Sequence, residues 1–259
     1  MNPAVTDYIE ILGQFPSVDL TNMDKVKLMD RKDTKFMFRE EHLAEILQGL
    51  TGEYRVLWVN DCFSCPYESL YYDTPEYQFY YDHHRGKLNR YKVRYRKYLG
   101  TNTSFFEIKH KNAKERTIKN RVRVSVVPGH LGIIESDFLY SNTFLPGENL
   151  SLAIRVTFNR ITLVNLNSPE RVTLDTHLTF YHQDHLLTLP GIIIAEAKQD
   201  KTVVSPFVAR MKQRHIRKGS ISKYCLGMSL LVPDIKCNNF KSKIHTLKKL
   251  IHDTPAGIK

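Results

Sequence analysis

Basic side chains occur at every second position in several short segments of this chain, and this period of two residues strongly limits its fold. The clearest examples are Lys92, Arg94 and Arg96 in one segment, and Lys119, Arg121 and Arg123 in another. Residues i and i+2 lie on the same face of a β-strand, whereas they diverge around a helix. The pattern therefore predicts strands that each have one charged face and one mainly apolar face.

Many such short alternating segments follow one another with turns between them, which is typical of an antiparallel barrel or sandwich. We predict an α+β fold in which about eight antiparallel strands close into a β-barrel that forms a tunnel, with helices packed outside. The predicted strands are 30–38, 54–60, 68–73, 88–98, 104–111, 115–125, 152–159, the hairpin 160–165 and 171–180, and 191–198. The predicted helices are 40–50, 75–85, 129–140, 206–215 and 221–231.

The 259 residues are enough for one sizeable core, so we expect a single folded domain with additions at its ends. The predicted organisation is an N-terminal extension over residues 1–24, the barrel domain over residues 25–232, and a basic C-terminal tail over residues 233–259. The tail contains several lysines and little apolar periodicity, and we expect it to be loosely held.

The formal net charge of +11, from 38 Lys and Arg against 27 Asp and Glu, favours an anionic partner. Composition alone leaves a merely solvated basic surface equally acceptable. The position of the charges decides between them, because solvated strand faces normally mix Ser, Thr and Gln with charged residues, whereas these faces are mainly Arg and Lys. If helices cover the apolar faces, the cations line an enclosed space and require an anion.

A chain of phosphates is the anion that suits such a space, because Arg offers a planar fork and Lys a compact charge to phosphate oxygens. Glu107 and Glu196 are predicted to bind Mg²⁺ or Mn²⁺, which prefer carboxylate and phosphate oxygens together. The alternative is that each of these glutamates pairs with the lysine two residues further on. The residues alone leave both interpretations open.

Four cysteines are too few and too scattered for a disulfide framework, and the CxxC of Cys62 and Cys65 has no partner at a zinc-like spacing. The N-terminus does not have the pattern of a signal peptide, and no stretch approaches the ~20 apolar residues of a membrane span. We therefore expect a cytoplasmic protein. If this protein acts at a membrane, we expect a separate membrane protein to hold it there.

An ordered set of motifs resembles the VTC domain, the catalytic module of the vacuolar transporter chaperone complex, within the triphosphate tunnel metalloenzymes. The motifs are DRKDTKF, YYDT followed by RYKVRYRKY, FFEIKHK, TIKNRVRV, AIRVTFNR, VTLDTHLTF, IIIAEAK and ISKYCLG, from about Lys25 to Leu231. The resemblance implies a tunnel that binds ATP or polyphosphate with a divalent metal. In eukaryotic members this domain moves the terminal phosphate of ATP to a growing polyphosphate chain.

The resemblance also implies roles for individual residues of this chain. Arg94, Arg96, Lys109 and Glu196 are predicted to be catalytic, and Glu196 to bind the metal. The predicted phosphate ligands are Lys35, Arg94, Arg96, Lys109, Arg121, Arg155, Arg160, Lys198 and Lys223. Phosphoryl transfer of this kind depends on positioning and charge neutralisation more than on a protein nucleophile.

One departure from the pattern bears on the reaction. Tunnel enzymes that hydrolyse triphosphate have ExExK on the first strand, and the equivalent positions here are Arg31, Asp33 and Lys35. The replacement of the first acid favours polyphosphate synthesis over a metal-dependent tripolyphosphatase. A third hypothesis is a non-catalytic module that binds polyphosphate or a nucleotide. Nucleic acid is not expected as a partner, because aromatic side chains do not interleave with the charged strands as stacking platforms do.

Overall fold

The strands form one mainly antiparallel sheet in a computed structural model that describes residues 3–23, 31–114, 116–125, 131–220 and 222–252. Asp30, Glu115, Gly129 and Ile221, at which predicted elements begin, and the predicted boundary at residues 24 and 25 lie outside the described residues. The described strands are β1 (Ser17–Val18), β2 (Arg31–Arg39), β3 (Tyr54–Leu57), β4 (Ser64–Asp73), β5 (Arg90–Tyr98), β6 (Thr103–Lys111), β7 (Thr117–Val124), β8 (Ser151–Asn165), β9 (Glu170–His182), β10 (His185–Leu189), β11 (Ile192–Asp200) and β12 (Lys218–Gly219).

The strands follow the order β12-β2-β11-β9-β8-β4-β5-β6-β7, and β1, β3 and β10 lie off this path. Every neighbouring pair along the path is antiparallel. Within the described ranges no hydrogen-bonded pairing joins β7 to β12, so the predicted closed barrel is not confirmed. The predicted strand 152–159 and the first strand of the predicted hairpin are one continuous strand, β8.

Helices flank the sheet, and two of them begin at serine caps. Ser205 Oγ accepts the backbone N–H of Val208, and Pro206 occupies the first helical position, where its missing N–H costs nothing. Ser222 caps the helix that begins at Lys223, and its side chain accepts the backbone N–H of Cys225. The helices are α1 (Pro3–Leu12), α2 (Leu20–Met23), α3 (Leu43–Gln48), α4 (Gln78–His84), α5 (Ile133–Thr143), α6 (Pro206–Gln213), α7 (Lys223–Leu231) and α8 (Lys241–His252).

Apolar clusters cover the outer face of the sheet. Phe36 and Ile193 pack with residues of α1, α3 and α6 in one cluster, and Tyr95 and Phe106 pack with residues of α4 and α5 in another. The inner face is divided: Tyr71 and Phe158 belong to a cluster with α7 and α8, and many of the other inner positions carry charged side chains. Burial of the outer face therefore leaves the charged face turned inward.

The described part of the predicted C-terminal tail, residues 233–252, does not have the loose structure that its composition predicts. Residues 241–252 form α8, and Leu247 is 1% exposed within the same cluster as Tyr224 of α7. The prediction fails because Leu247, Leu250 and Ile251 pack on residues far away in sequence. In the part of the chain that the structure describes, no helix has the length and apolarity needed to cross a bilayer.

Candidate functional site

A cavity of about 560 Å³ lies on the inner face of the sheet, and eight strands from β2 to β7 in the sheet order contribute to its walls, together with the start of α7. Ten of the eleven residues predicted from the sequence line it. These are Lys35, Arg94, Arg96, Glu107, Lys109, Arg121, Arg160, Glu196, Lys198 and Lys223.

Arg155 is the exception, and its predicted place in the phosphate site is wrong. It pairs in register with Leu70, whereas Ser69 and Tyr71 line the cavity, so Arg155 lies on the outer face. Its side chain is 44% exposed, its Nε lies 2.7 Å from Glu68 Oε1, and its guanidinium covers the Tyr181 ring. Arg155 is therefore part of a surface ion pair.

The cavity walls carry a large excess of positive charge. Eleven Lys and Arg residues line them against four Asp and Glu residues, an excess of seven. Like charges in an enclosed, partly dehydrated space repel one another, so this excess favours binding of a multiply charged anion. Lys92, Lys119 and Arg171 contribute to the excess and are absent from the predicted ligand set, although Lys92 and Lys119 have the same period-two phase as the predicted arginines.

Arg94 is fixed by two neighbouring strands. It donates from Nε and from Nη2 to Glu107 Oε2, at 2.8 and 2.6 Å, and from Nη1 to Tyr71 Oη at 3.0 Å. Burial opposes ionisation of Glu107, but Arg94 and Arg96 lower its pKa to about 2. Tyr71 is also buried, yet Arg94, Arg96, Lys92 and Lys223 together lower its pKa. The field of the cavity is thus strong enough to stabilise anions.

Arg96 has a donor that no described residue satisfies. Its Nε is buried without a hydrogen-bond partner in the described part of the chain, and it lies 3.9 Å from Glu107 Oε2. An unsatisfied buried donor is costly, and a phosphate oxygen in the cavity would satisfy it.

Asp175 holds two predicted ligands together. Arg160 donates from Nε to Asp175 Oδ1 at 2.6 Å and from Nη2 to Oδ2 at 2.8 Å, and Lys223 of α7 contacts the same carboxylate. Burial disfavours the charged carboxylate, but Arg160 and Lys223 hold its pKa well below the usual range. Asp175 is absent from the predicted site, because only its position in the alternating VTLDT segment points to it in sequence.

Glu196 has lysines on both sides. Its Oε1 lies 3.4 Å from Lys35 Nζ on the neighbouring strand, and its Oε2 accepts from Lys198. Burial opposes its ionisation, yet Lys35 and Lys198 hold the pKa of Glu196 far below its ordinary value. Burial in turn lowers the pKa of Lys198 to about 8, against the effect of Glu196. The pairing of Glu196 with the lysine two residues on is confirmed, whereas Glu107 pairs with arginine on the adjacent strand instead.

Two lysines on adjacent strands face each other across the register of β5 and β6. Lys92 and Lys109 are paired residues, and Lys92 donates to Ser222 Oγ at 2.8 Å. The pKa of Lys109 is lowered to about 7. The main cause is loss of hydration inside the protein, and the positive charges of Lys92, Lys119 and Lys35 lower it further. The side chain of Lys109 is nevertheless open to the cavity. Lys35 of β2 and Lys109 of β6 line the same cavity, although their strands lie near opposite ends of the strand order. The sheet therefore curves around the cavity.

The carboxylates do not by themselves form a metal centre. No group of three or more His, Cys, Asp or Glu side chains within the described ranges is arranged to hold a metal ion. Mg²⁺ and Mn²⁺ are commonly held by one or two carboxylates together with phosphate oxygens of a ligand. Both predicted carboxylates already have cationic partners. Lys35 and Lys198 contact the two oxygens of Glu196, and Arg94 donates two hydrogen bonds to Glu107 Oε2, so a metal ion at either glutamate would have to replace these side chains.

The fold and the cavity define a protein with a curved antiparallel sheet and a cationic inner face, and sequence comparison supplies the family. The family model of the VTC domain matches residues 30–232, which is most of the chain. The chain therefore belongs to the VTC domain family. Comparison with curated protein sequences gives no match.

The solved structures that are similar to this chain share little sequence with it. A candidate adenylate cyclase from Bacillus halodurans has 10% identity and a TM-score of 0.50, and the alignment covers 79% of this chain and 100% of that one. A candidate adenylyl cyclase from Hippeastrum, described with a dominant triphosphatase activity, has 12% identity, a TM-score of 0.48 and coverage of 79% and 98%. At such identities the likeness to the Bacillus structure concerns the fold alone.

Proposed function

We propose that the chain binds the phosphates of ATP and of polyphosphate in the cavity, and transfers the terminal phosphoryl group of ATP to a polyphosphate chain. The observation that carries the proposal is the excess of seven basic over acidic side chains along one cavity whose walls come from eight strands. Membership of the VTC domain family supports the same substrate class.

The residues have separable roles in this proposal. Arg94, Arg96 and Lys109 neutralise the charge that shifts between phosphate groups, while Lys35, Arg121, Arg160, Lys198 and Lys223 hold the chain. Arg94 is already oriented by Glu107 and Tyr71, so little side-chain entropy is lost when phosphate binds. Phosphoryl transfer needs such pre-set positioning more than a protein nucleophile.

A Mn²⁺ or Mg²⁺ ion would be held by Glu196 and by phosphate oxygens of the ligand. It would supply further neutralisation of charge on the transferred phosphoryl group. Lys35 and Lys198 contact Glu196 in the absence of ligand, so we expect them to turn to phosphate when the cation takes the carboxylate.

We further propose that the curved sheet acts as a tunnel, although no hydrogen bonds join β7 to β12 among the residues that the structure describes. Support comes from the field at Lys109 of β6, where Lys35 of β2 and Glu196 of β11 both act on the amine. Side chains from the two sides of the strand order therefore approach one another across the cavity.

The direct test is to incubate the purified protein with ATP, a short polyphosphate primer and Mn²⁺ or Mg²⁺, and to measure ADP and polyphosphate length on a gel. We expect ADP release with chain growth, loss of both in Arg94→Ala, and retention of both in Arg155→Ala, whose arginine lies outside the cavity. Release of phosphate without growth of the polyphosphate chain would show that the protein hydrolyses its substrate and does not synthesise polyphosphate.

A binding module without turnover is the second candidate. It is favoured by the ion pairs that already engage Glu107 and Glu196, since a carboxylate held by lysine or arginine is less available to a metal. Tight tripolyphosphate binding, with neither ADP nor phosphate released in the presence of either metal, would establish it.

A further inference from the structure

Helix α5 presents a mainly apolar row of side chains to solvent, called here the α5 stripe. Its members are Ile133, Asp137, Tyr140 and Phe144, whose spacing of four, three and four positions places them on one side of a helix. Ile133, Tyr140 and Phe144 are 83%, 57% and 80% exposed, and the rings of Tyr140 and Phe144 contact each other. The opposite side of α5 packs on the outer face of the sheet through buried Leu139. The stripe is therefore the side of α5 that the described chain leaves uncovered.

Phe144 has an unfavourable backbone conformation at the end of the stripe. It follows the last residue of α5, and its φ of 59° and ψ of 19° lie in the left-handed region, which glycine and asparagine adopt more readily. The aromatic side chain gives no core packing in return, because most of it is exposed. A contact outside the monomer would use this side chain.

The exposed apolar surface is large for a monomer. With roughly 200 Å² for one fully exposed side chain of this size, the α5 stripe and the neighbouring Ile134, which is 66% exposed, offer roughly 550 Å² in each copy. Two copies that meet there would bury roughly 1,100 Å², which is just above the roughly 1,000 Å² expected of a specific interface. An interface of this size predicts a dimer that dissociates on dilution.

Repulsion between two copies is reduced on this side of the molecule. The chain has a formal net charge of +11, yet residues 124–154 contain neither Lys nor Arg, and Asp137 and Glu148 are exposed within that range. Two copies of a strongly basic protein therefore approach each other more easily at α5 than at surfaces that carry Lys and Arg. An anionic lipid surface would instead favour basic residues beside the apolar groups.

We infer that two copies of this chain form a symmetric dimer in which the α5 helices pack antiparallel through the α5 stripe. The stripe is self-complementary: in an antiparallel pair centred between positions 138 and 139, Ile133 faces the partner's Phe144, and Tyr140 faces the partner's Asp137. The Tyr140 hydroxyl can then donate a hydrogen bond to that carboxylate. Because α5 lies on the outer face of the sheet, the cavity stays open in each copy.

Sedimentation equilibrium of the full chain over a wide range of concentrations tests the dimer. We expect the wild type to pass from monomer to dimer as concentration rises, and Phe144→Asn to weaken dimerisation at least about thirtyfold. Asparagine suits the left-handed conformation, so the melting temperature of the dilute monomer should not fall in this variant. Val204→Asn is the matched control, because Val204 is 84% exposed but lies just before α6, and it should dimerise like the wild type.

Cysteine cross-linking tests the antiparallel arrangement. Ile133→Cys and Phe144→Cys proteins, mixed and oxidised, should form more cross-linked dimer than either variant alone, because an antiparallel pair separates two copies of one position by roughly 16 Å along the helix axis. The wild type treated in the same way gives the background from the four native cysteines.

Each result bears directly on the dimer. A wild-type protein that stays monomeric at every concentration, or a Phe144→Asn variant that dimerises as strongly as the wild type, would overturn the inference. Binding to vesicles of anionic lipid without any dimer in solution would assign the stripe to a membrane surface and also overturn it. Equal cross-linking of mixed and unmixed variants would contradict the antiparallel arrangement. Tripolyphosphate binding should be the same in Phe144→Asn and wild type, so the proposed function is tested separately.

Discussion

Asp175 and Lys223 are 48 residues apart in sequence, and the contact between their side chains fixes the start of α7 against the inner face of the sheet. The same carboxylate accepts two hydrogen bonds from Arg160, so one acidic group restrains two predicted phosphate ligands from different elements. Asp175 therefore holds Arg160 and Lys223 in place without a ligand, and its negative charge neutralises part of their positive charge.

Asp175→Asn should destabilise the free protein and make it more responsive to phosphate. The change leaves Arg160 and Lys223 without their shared counter-ion, and breaking a buried pair in this way costs about 3 kcal/mol of unfolding free energy. Tripolyphosphate should then raise the melting temperature of the variant more than that of the wild type, because the ligand supplies the missing negative charge. Asp137→Asn on the exposed side of α5 is the control. An unchanged melting temperature without ligand would contradict the role of Asp175.

Tripolyphosphate binding should be coupled to proton uptake at Lys109. Its pKa of about 7 lies below the ordinary lysine value of about 10.4, so at about pH 8 much of it is neutral in the free protein. A bound phosphate favours the charged amine, so binding draws a proton from solution, and affinity falls as pH rises above about 7.

Calorimetry in two buffers of different ionisation enthalpy measures this uptake. Lys109→Arg should reduce it, since the guanidinium stays charged in both states. Proton uptake by the ligand itself is the same for both proteins, so it cancels when the uptake of the variant is subtracted from that of the wild type. Some uptake should remain from Lys198, whose pKa is about 8. Equal uptake in wild type and variant would show that Lys109 is charged throughout.

Arg155→Ala should leave tripolyphosphate affinity unchanged, although Arg155 belongs to the same family motif as Arg160. Its ion pair with Glu68 lies on the outer face and is partly exposed, so its loss should cost less than about 1 kcal/mol of stability. Arg94→Ala, in contrast, removes a donor group inside the cavity and should weaken binding roughly a hundredfold. Comparable losses of affinity in the two variants would contradict the assignment of Arg155 to the outer face.

Leu247→Ala should lower the unfolding free energy by about 3 kcal/mol, because α8 is part of the core and the substitution leaves a cavity there. Chemical denaturation with unchanged slope measures the loss, and Lys249→Ala on the exposed side of α8 should have an effect near zero. A stability equal to that of the wild type would mean that α8 packs only weakly.

The sequence by itself determined the phase of the charges along each strand. Side chains alternate strictly between the two faces of a strand, so Lys92, Arg94 and Arg96 had to share one face of their strand, and Lys119 and Arg121 one face of theirs. The same rule shows why Arg155 and Arg160 cannot both line the cavity. They are five residues apart, an odd number, and β8 alternates regularly where it pairs with β4.

Only the tertiary structure decided which member of that pair faces inward. Arg160 is brought beside Asp175 by the register of β8 and β9, and Lys223 joins them because α7 packs on the inner face. Contacts between distant segments likewise decided that, within the described ranges, β7 and β12 do not pair, and that α8 packs beside α7. Local periodicity determines the face of each side chain, whereas contacts between distant segments determine what that face meets.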